Sequence, residues 1–260
     1  MTDTIRIAVQ LQPQHADYDA IRNAAVRAEE AGVDIIYNWD HFYPLYGGDP
    51  DPNVGKHFEC WTMLASWAEV TERVELGALV TCNSYRNPEL LADMARTVDH
   101  ISNGRLILGI GAGWFEKDYT EYGYEFGTFG TRLAALEDSL PRIDKRLAAM
   151  DPAPMRDIPI LVGGGGEKKT LRYTARHADI WHSFGDLETF TRKTAILDEW
   201  CATEGTDSSA IERSVGVDGG DIEAAEALAA AGARQFTVGV SGPDYDLGPV
   251  QELVAWRDGR

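Results

Sequence analysis

Cysteine is scarce in this chain, which has three in 260 residues: Cys60, Cys82 and Cys201. Their number is odd, they are far apart, and none belongs to a Cys-x-x-Cys pair. This pattern excludes a disulfide-stapled secreted domain and predicts a reduced, cytoplasmic compartment.

Long apolar runs are also missing. No stretch approaches the roughly 20 apolar residues that span a bilayer. The opening residues, Met1 to Arg6, lack the charged and then apolar regions of a signal peptide. We therefore expect a soluble cytoplasmic protein without a membrane partner.

Positive charge is in deficit. The chain has 24 Lys and Arg against 42 Asp and Glu, which gives a formal charge of −18. Such a surface repels nucleic acids and anionic membranes. An anionic ligand must then be held by a local basic patch, and the expected partner is a small-molecule substrate.

Several motifs of well-known sites are absent. The sequence contains neither a Walker loop, nor a dinucleotide-binding fingerprint, nor a Gly-x-Ser-x-Gly elbow, so Cys82 is a lone candidate nucleophile. His41, His57 and His182 have no local partner spacing. Because a zinc site needs three or more ligands, we predict no metal centre.

The chain does contain a regular alternation of apolar β-type runs and helical patterns, eight of each, without linker or repeat. Count, order and length predict a (β/α)₈ TIM barrel of parallel strands that forms one domain over residues 1–260. A doubly wound open sheet is the alternative, but it usually places its glycine-rich turn after the first strand. The predicted strands are Ile5–Leu11, Asp34–Trp39, Val74–Thr81, Arg105–Gly113, Ile158–Val162, Asp179–Phe184, Ser214–Val217 and Arg234–Val240.

The stretch from Ile158 to Arg172 predicts a strand, a loop of four glycines (Gly163–Gly166) and a helix. Glycines allow a ligand to approach the backbone closely, and the helix start offers unpaired N–H groups. Lys168, Lys169 and Arg172 add positive charge. The segment is therefore a candidate anion cradle; the alternative is a glycine turn needed only for close packing.

In such barrels the ligand binds at the carboxyl ends of the strands. There the sequence places much glycine and few paired carboxylates, which suits a flat ring better than hydrolysis. Asp40 and His41 form the one acid–histidine pair at a strand end. We expect His41 to exchange a proton and Asp40 to fix its tautomer, unless His41 only binds a loop carbonyl.

Several segments, spread over roughly residues 5 to 185, form a set that points to one family. They are Ala25 to Asp34 leading to Asp40-His41, Leu76-Gly77 through Tyr85-Arg86-Asn87-Pro88, Thr97 to Arg105, Leu108 to Trp114, Tyr122-Gly123, Pro159 to Arg172, and Ala178-Asp179. Taken together, these segments resemble the luciferase-like flavin and deazaflavin oxidoreductases, in the branch that uses coenzyme F420.

The resemblance implies a cofactor ring at the strand ends, backed by a non-prolyl cis peptide near Leu79-Val80, with the phosphate-bearing tail toward Gly163 to Lys168. His41 matches the family's active-site histidine and Asp40 its ring-contacting neighbour. The residues expected to bind the cofactor are Asp40, Leu79, Val80, Cys82, Gly111, Ala112, Gly113, Gly163, Gly164, Gly165, Gly166, Glu167 and Lys168.

The implied reaction is hydride transfer between the deazaflavin and a small organic substrate. An FMN-dependent monooxygenase of the same fold and a non-catalytic cofactor-binding barrel remain as alternatives, and a homodimer is left open. Trp114 stands where some sugar-phosphate dehydrogenases of the family carry glutamate, which argues against that reaction. A second departure is the short connection Leu147 to Asp157, where larger members have an insertion. Trp39, Phe42, Tyr43 and Trp114 suggest an aromatic substrate wall.

Overall fold

A computed structural model describes residues 4–48 and 50–260 and places nine helices and nine strands there, besides two short 3₁₀ turns. The strands are β1 (Arg6–Leu11), β2 (Ile35–Asn38), β3 (Glu75–Ala78), β4 (Thr81–Cys82), β5 (Leu106–Gly111), β6 (Ile160–Gly163), β7 (Ile180–Ser183), β8 (Glu212–Gly216) and β9 (Gln235–Val240). The helices are α1 (Tyr18–Glu30), α2 (Cys60–Val70), α3 (Pro88–Ile101), α4 (Glu116–Tyr122), α5 (Phe129–Ala148), α6 (Thr170–His177), α7 (Leu187–Glu204), α8 (Ile222–Ala230) and α9 (Gly248–Asp258).

The nine strands of the described residues close into a parallel barrel with eight strand positions, because β3 and β4 share one position. This arrangement confirms the predicted fold. Each strand pairs with its neighbour in parallel, and β1 closes the ring against β9, with Arg6 opposite Gln235 and Leu11 opposite Val240. One strand of the barrel is interrupted, so that its two parts, β3 and β4, both pair with β5. The sequence predicted a continuous strand over Val74–Thr81, and that prediction is wrong at Leu79 and Val80.

Both faces of the strands are buried, as expected where helices cover a parallel sheet. The outer faces pack against the helices in a large core that includes Trp67, Trp181 and Phe236. At the amino-terminal end of the barrel, Arg6 pairs with Glu75 and Glu212. The inner faces form a smaller cluster of Ala8, Ile35, Tyr37, Leu79, Ile107, Leu161 and Ile180.

Local sequence signals fix several helix ends. Asn87 caps α3, and its side-chain oxygen accepts hydrogen bonds from the N–H groups of Glu89 (2.9 Å) and Leu90 (3.2 Å). Asp221 caps α8 by accepting from the N–H of Ala224 at 2.9 Å. The helix α4 lies in an aromatic-rich segment that runs from Trp114 to Phe129.

The connection from α5 to β6 is short, as predicted, and it packs onto α3. Asp99, a buried residue of α3, accepts a hydrogen bond from the N–H of Met155 at 2.7 Å. His100 Nε2 lies 2.7 Å from the carbonyl oxygen of Ala153. This side of the barrel therefore carries no inserted segment. Within residues 4–48 and 50–260, no helix combines the length and apolarity needed to cross a membrane.

Candidate active site

A cavity of about 440 Å³ opens at the carboxyl ends of the strands, where a barrel of this kind binds its ligand. It brings together most of the residues singled out in the sequence, from five different strand ends. The cavity is lined by Asp40, His41, Leu79, Val80, Cys82, Tyr85, Gly111, Ala112, Gly113, Trp114, Phe129, Leu133, Leu136, Gly163, Gly164, Gly165, Gly166, Thr170, His182, Ser183, Phe184 and Lys193.

Two predicted residues do not belong to that lining. Glu167 forms an ion pair with Arg192, and Lys168 is exposed outside the cavity. Arg172, which the sequence placed in the basic patch, donates from Nε to Glu204 at 2.6 Å. Of the segment's polar and charged side chains, only Thr170 faces the cavity.

Backbone rather than side chain forms much of the cavity wall beside Val80. A Cβ on Gly111 would lie 2.7 Å from Cγ2 of Val80, and one on Gly163 would lie 2.7 Å from its Cγ1. Any side chain at either position would therefore displace Val80. The peptide bond between Leu79 and Val80 is cis, as the resemblance implies, and the carbonyl of Leu79 accepts a hydrogen bond from Gln10 Nε2 at 2.8 Å.

His41 lies at the cavity edge, and a buried carboxylate holds its ring. Its Nδ1 is 2.7 Å from Oδ2 of Asp118, whose side chain is fully buried. Asp118 also accepts hydrogen bonds from the Tyr85 hydroxyl (2.9 Å) and the N–H of Phe42 (3.1 Å). Because a carboxylate only accepts, Nδ1 carries the proton and Nε2 is left for a reacting group.

The prediction that Asp40 fixes the tautomer of His41 is wrong, because Asp40 is bound elsewhere. Its two oxygens accept hydrogen bonds from Arg86 at 2.5 and 3.0 Å, and one also accepts from the N–H of Cys82 at 3.0 Å. Burial raises the pKa of the Asp40 carboxyl, and Arg86 opposes that shift. The Asp40 carboxylate thus links the segment after β2 to the short strand β4.

Cys82 lines the cavity as a protonated thiol. Its Sγ lies 3.2 Å from the Tyr119 hydroxyl, and the residue is 5% exposed. Burial raises the pKa of this thiol to about 11. At neutral pH it is therefore a poor nucleophile, since the thiolate is the reactive form.

His182 presents an unsatisfied nitrogen. Its Nδ1 lies 2.8 Å from Oγ of Ser214, whereas its buried Nε2 has no hydrogen-bond partner among the described residues. Burial lowers the pKa of His182 to about 3, so the ring is neutral. A buried polar atom without a partner is rare, and one in a ligand cavity is satisfied when a polar ligand binds.

Of the four aromatics predicted as a substrate wall, Trp114 lines the cavity, and its side chain is 63% exposed beside the ring of His41. Trp39 is buried and donates from Nε1 to His57. Phe42 stacks on Tyr122. Exposed Phe129 and Phe184 stand at the rim instead.

Three site residues lack a local signal in the sequence. Asp118 lies in the aromatic-rich segment, 77 positions after His41. Arg86 belongs to a segment that supports the resemblance, but its ion pair with Asp40 spans 46 positions. Lys193 is one of many charged residues on α7. Only the tertiary structure brings Lys193 to the cavity, and Asp118 and Arg86 to the residues His41 and Asp40 that line it.

Comparisons with known proteins identify relatives of this chain. An F420-dependent glucose-6-phosphate dehydrogenase from Amycolatopsis mediterranei (strain U-32) is 30% identical over 190 residues, which cover 65% of this chain and 55% of the dehydrogenase. The chain thus spans about half the length of that relative. An uncharacterised protein of Mycobacterium tuberculosis (strain ATCC 25618 / H37Rv) is 29% identical over 253 residues, or 88% of this chain and 87% of that protein.

The fold is also found in a solved structure, that of an F420-dependent secondary alcohol dehydrogenase in complex with an F420-acetone adduct. The TM-score is 0.82 at 16% identity, and the match covers 95% of this chain and 96% of that one. A family model described as luciferase-like monooxygenase matches residues 1–246. The chain therefore belongs to the luciferase-like monooxygenase family.

Proposed function

We propose that this chain is an F420-dependent oxidoreductase that transfers a hydride between the deazaflavin cofactor and a small organic substrate. One observation carries the proposal: a cavity with a glycine wall on one side and a carboxylate-held histidine, His41, on the other. The F420-dependent dehydrogenase among its relatives supports the choice of cofactor.

The residues present fit such a cofactor. A flat ring can lie against Val80, which lines the cavity and packs directly on the backbone of Gly111 and Gly163. The unsatisfied Nε2 of His182 offers a hydrogen bond to a polar ring edge. When bound, the cofactor supplies or accepts the hydride.

His41 would handle the proton that accompanies the hydride. Asp118 binds Nδ1 and stabilises the imidazolium, so Nε2 can accept or donate a proton without reorientation of the ring. Asp118 is in turn held by Tyr85 and by the backbone of Phe42. We propose the same role for His41 in either direction of the reaction, with Asp118 as its positioning residue.

The substrate would carry no phosphate. Lys193 is the one Lys or Arg among the described residues that line the cavity, and it lies at the glycine loop. Beside His41 the wall is instead aromatic, because Trp114 lines the cavity in edge contact with the imidazole ring. These surroundings favour an uncharged, partly apolar substrate.

Fluorescence titration of the purified protein with F420 and, separately, FMN tests the cofactor. We expect saturable quenching of tryptophan emission by F420, because Trp114 lines the cavity, and weaker binding of FMN. Preference for FMN would instead support the alternative of an FMN-dependent monooxygenase, which is consistent with the family to which the chain belongs. If the folded protein binds neither, the proposal is wrong.

Gly165→Val is expected to weaken cofactor binding about 5- to 150-fold without unfolding the protein. A Cβ at Gly165 would lie 2.1 Å from Lys193 Nζ and 3.0 Å from Ser183 Oγ. The lysine end is flexible and can move, but the branched side chain then occupies the cradle, and overpacking costs about 1–3 kcal/mol. Gly259→Val at the far end of α9 is the control, and circular dichroism verifies the fold. Unchanged affinity would place the ligand elsewhere.

A further inference from the structure

Five cationic side chains surround the glycine loop Gly163–Gly166, but most are already engaged or lie outside the cavity. Arg172 is bound to Glu204 and its guanidinium lies over the ring of Trp200. Arg192 is paired with Glu167. Lys168 and Lys169 are exposed and do not line the cavity. The fifth, Lys193, differs from all of these.

Lys193 projects from α7 over the backbone of the loop. Its Nζ occupies the space beside Gly165, since a Cβ there would be 2.1 Å away. The side chain is half-buried and lines the cavity. None of the carboxylates in residues 4–48 and 50–260 forms an ion pair with it, although acidic residues outnumber basic ones in this chain by 42 to 24.

Further donors converge on the same point. A Cβ at Gly165 would lie 3.0 Å from the Ser183 hydroxyl, and one at Gly166 would lie 2.7 Å from the Thr170 hydroxyl. The N–H of Gly164 is used by His182, whereas those of Gly165 and Gly166 donate to no described residue. An ammonium, two hydroxyls and free amide N–H groups are the donor set that binds a phosphate oxygen.

We propose that Lys193, rather than Lys168, is the cation that binds the phosphate of the cofactor's tail. This inference rests on the proposed function and names a residue for its cofactor site. The phosphate would contact Nζ of Lys193 on its cavity side, next to Gly165 and near the hydroxyls of Ser183 and Thr170. The same chemistry serves the phosphodiester of F420 and the phosphate monoester of FMN.

The test compares each cofactor with its phosphate-free chromophore, deazaflavin or riboflavin, in wild type and in Lys193→Met, which keeps the chain length and removes the charge. Because Lys193→Met removes a hydrogen-bonded charge, it should lower the affinity for F420 about ten- to a hundredfold. Binding of the phosphate-free chromophore should stay within about twofold. Lys193→Arg should recover part of the loss.

Two further variants sharpen the result. Lys145→Met removes one charge from an exposed site on α5 and controls for the net charge of the protein. Lys168→Met tests the rival cation, and we expect it to lower F420 affinity by less than about twofold. The inference would be overturned, and the proposed function left standing, if Lys193→Met lost equal affinity for F420 and for its phosphate-free chromophore. A larger loss of F420 affinity in Lys168→Met than in Lys193→Met would have the same consequence. Failure of the wild-type protein to bind either cofactor would overturn the proposed function and the inference with it.

Discussion

His41→Gln is expected to lower the rate of hydride transfer by about 10²- to 10⁴-fold, the usual contribution of a general acid or base. Glutamine can still form a hydrogen bond in the cavity, but it does not exchange a proton near neutral pH. Asp118 holds Nδ1 of the ring, so Nε2 of His41 is the nitrogen left to exchange a proton with the substrate. Stopped-flow absorbance of the cofactor measures the rate directly once a substrate is found.

Cofactor affinity should be nearly unchanged in His41→Gln, which separates a chemical role from a binding role. Asp118→Asn should lower the rate less than His41→Gln, because the amide keeps a contact to Nδ1 but does not stabilise the imidazolium. His57→Gln is the matched histidine control: burial already lowers the pKa of His57 to about 4, and its Nε2 only accepts from Trp39. A wild-type rate in His41→Gln would show that His41 does not handle the proton and would overturn its proposed role.

The barrel could be predicted because its strands are buried on both faces, so that each one appears as a short β-branched run between helical patterns. What the pattern did not show is the break between β3 and β4. Apolar residues continue through Leu79 and Val80, and the break depends on close backbone packing: a Cβ at Gly109 would lie 1.9 Å from the carbonyl oxygen of Ala78. Here only the resemblance indicated the cis peptide.

The site residues also fall into a group that could be predicted from the sequence and a group that could not. Residues at or near the carboxyl end of a strand, such as His41, Gly111 and His182, could be predicted from topology alone, because the carboxyl ends of parallel strands meet at one face. Their partners do not. Asp118 reaches His41 from one helix and Lys193 reaches the cavity from another, and ordinary charged residues on helices carry no pattern that distinguishes them. The sequence therefore predicted the basic residues adjacent to the glycine loop, whereas the structure brings in one from the following helix.

Arg86→Leu is expected to reduce the free energy of unfolding by about 3–5 kcal/mol at pH 7, the cost of leaving one member of a buried ion pair alone. The Asp40 side chain is fully buried and Arg86 is 10% exposed. Without the guanidinium, Asp40 keeps only the N–H of Cys82 as a donor. Glu59, the other partner of Arg86, is 40% exposed and can be hydrated. Urea denaturation followed by tryptophan fluorescence measures the loss.

The defect of Arg86→Leu should shrink as the pH falls. Burial already raises the pKa of Asp40 in the native protein, and removal of Arg86 raises it further. The folded variant then binds a proton more readily than the unfolded chain, so its stability falls as pH rises through the folded-state pKa and is regained below it. Arg146→Leu breaks an exposed pair with Asp93 at 2.8 Å and should cost at most about 1 kcal/mol at any pH. Equal and pH-independent losses of unfolding free energy in the two variants would contradict this prediction. They would show that the Asp40–Arg86 pair is no more sensitive to desolvation than a surface ion pair.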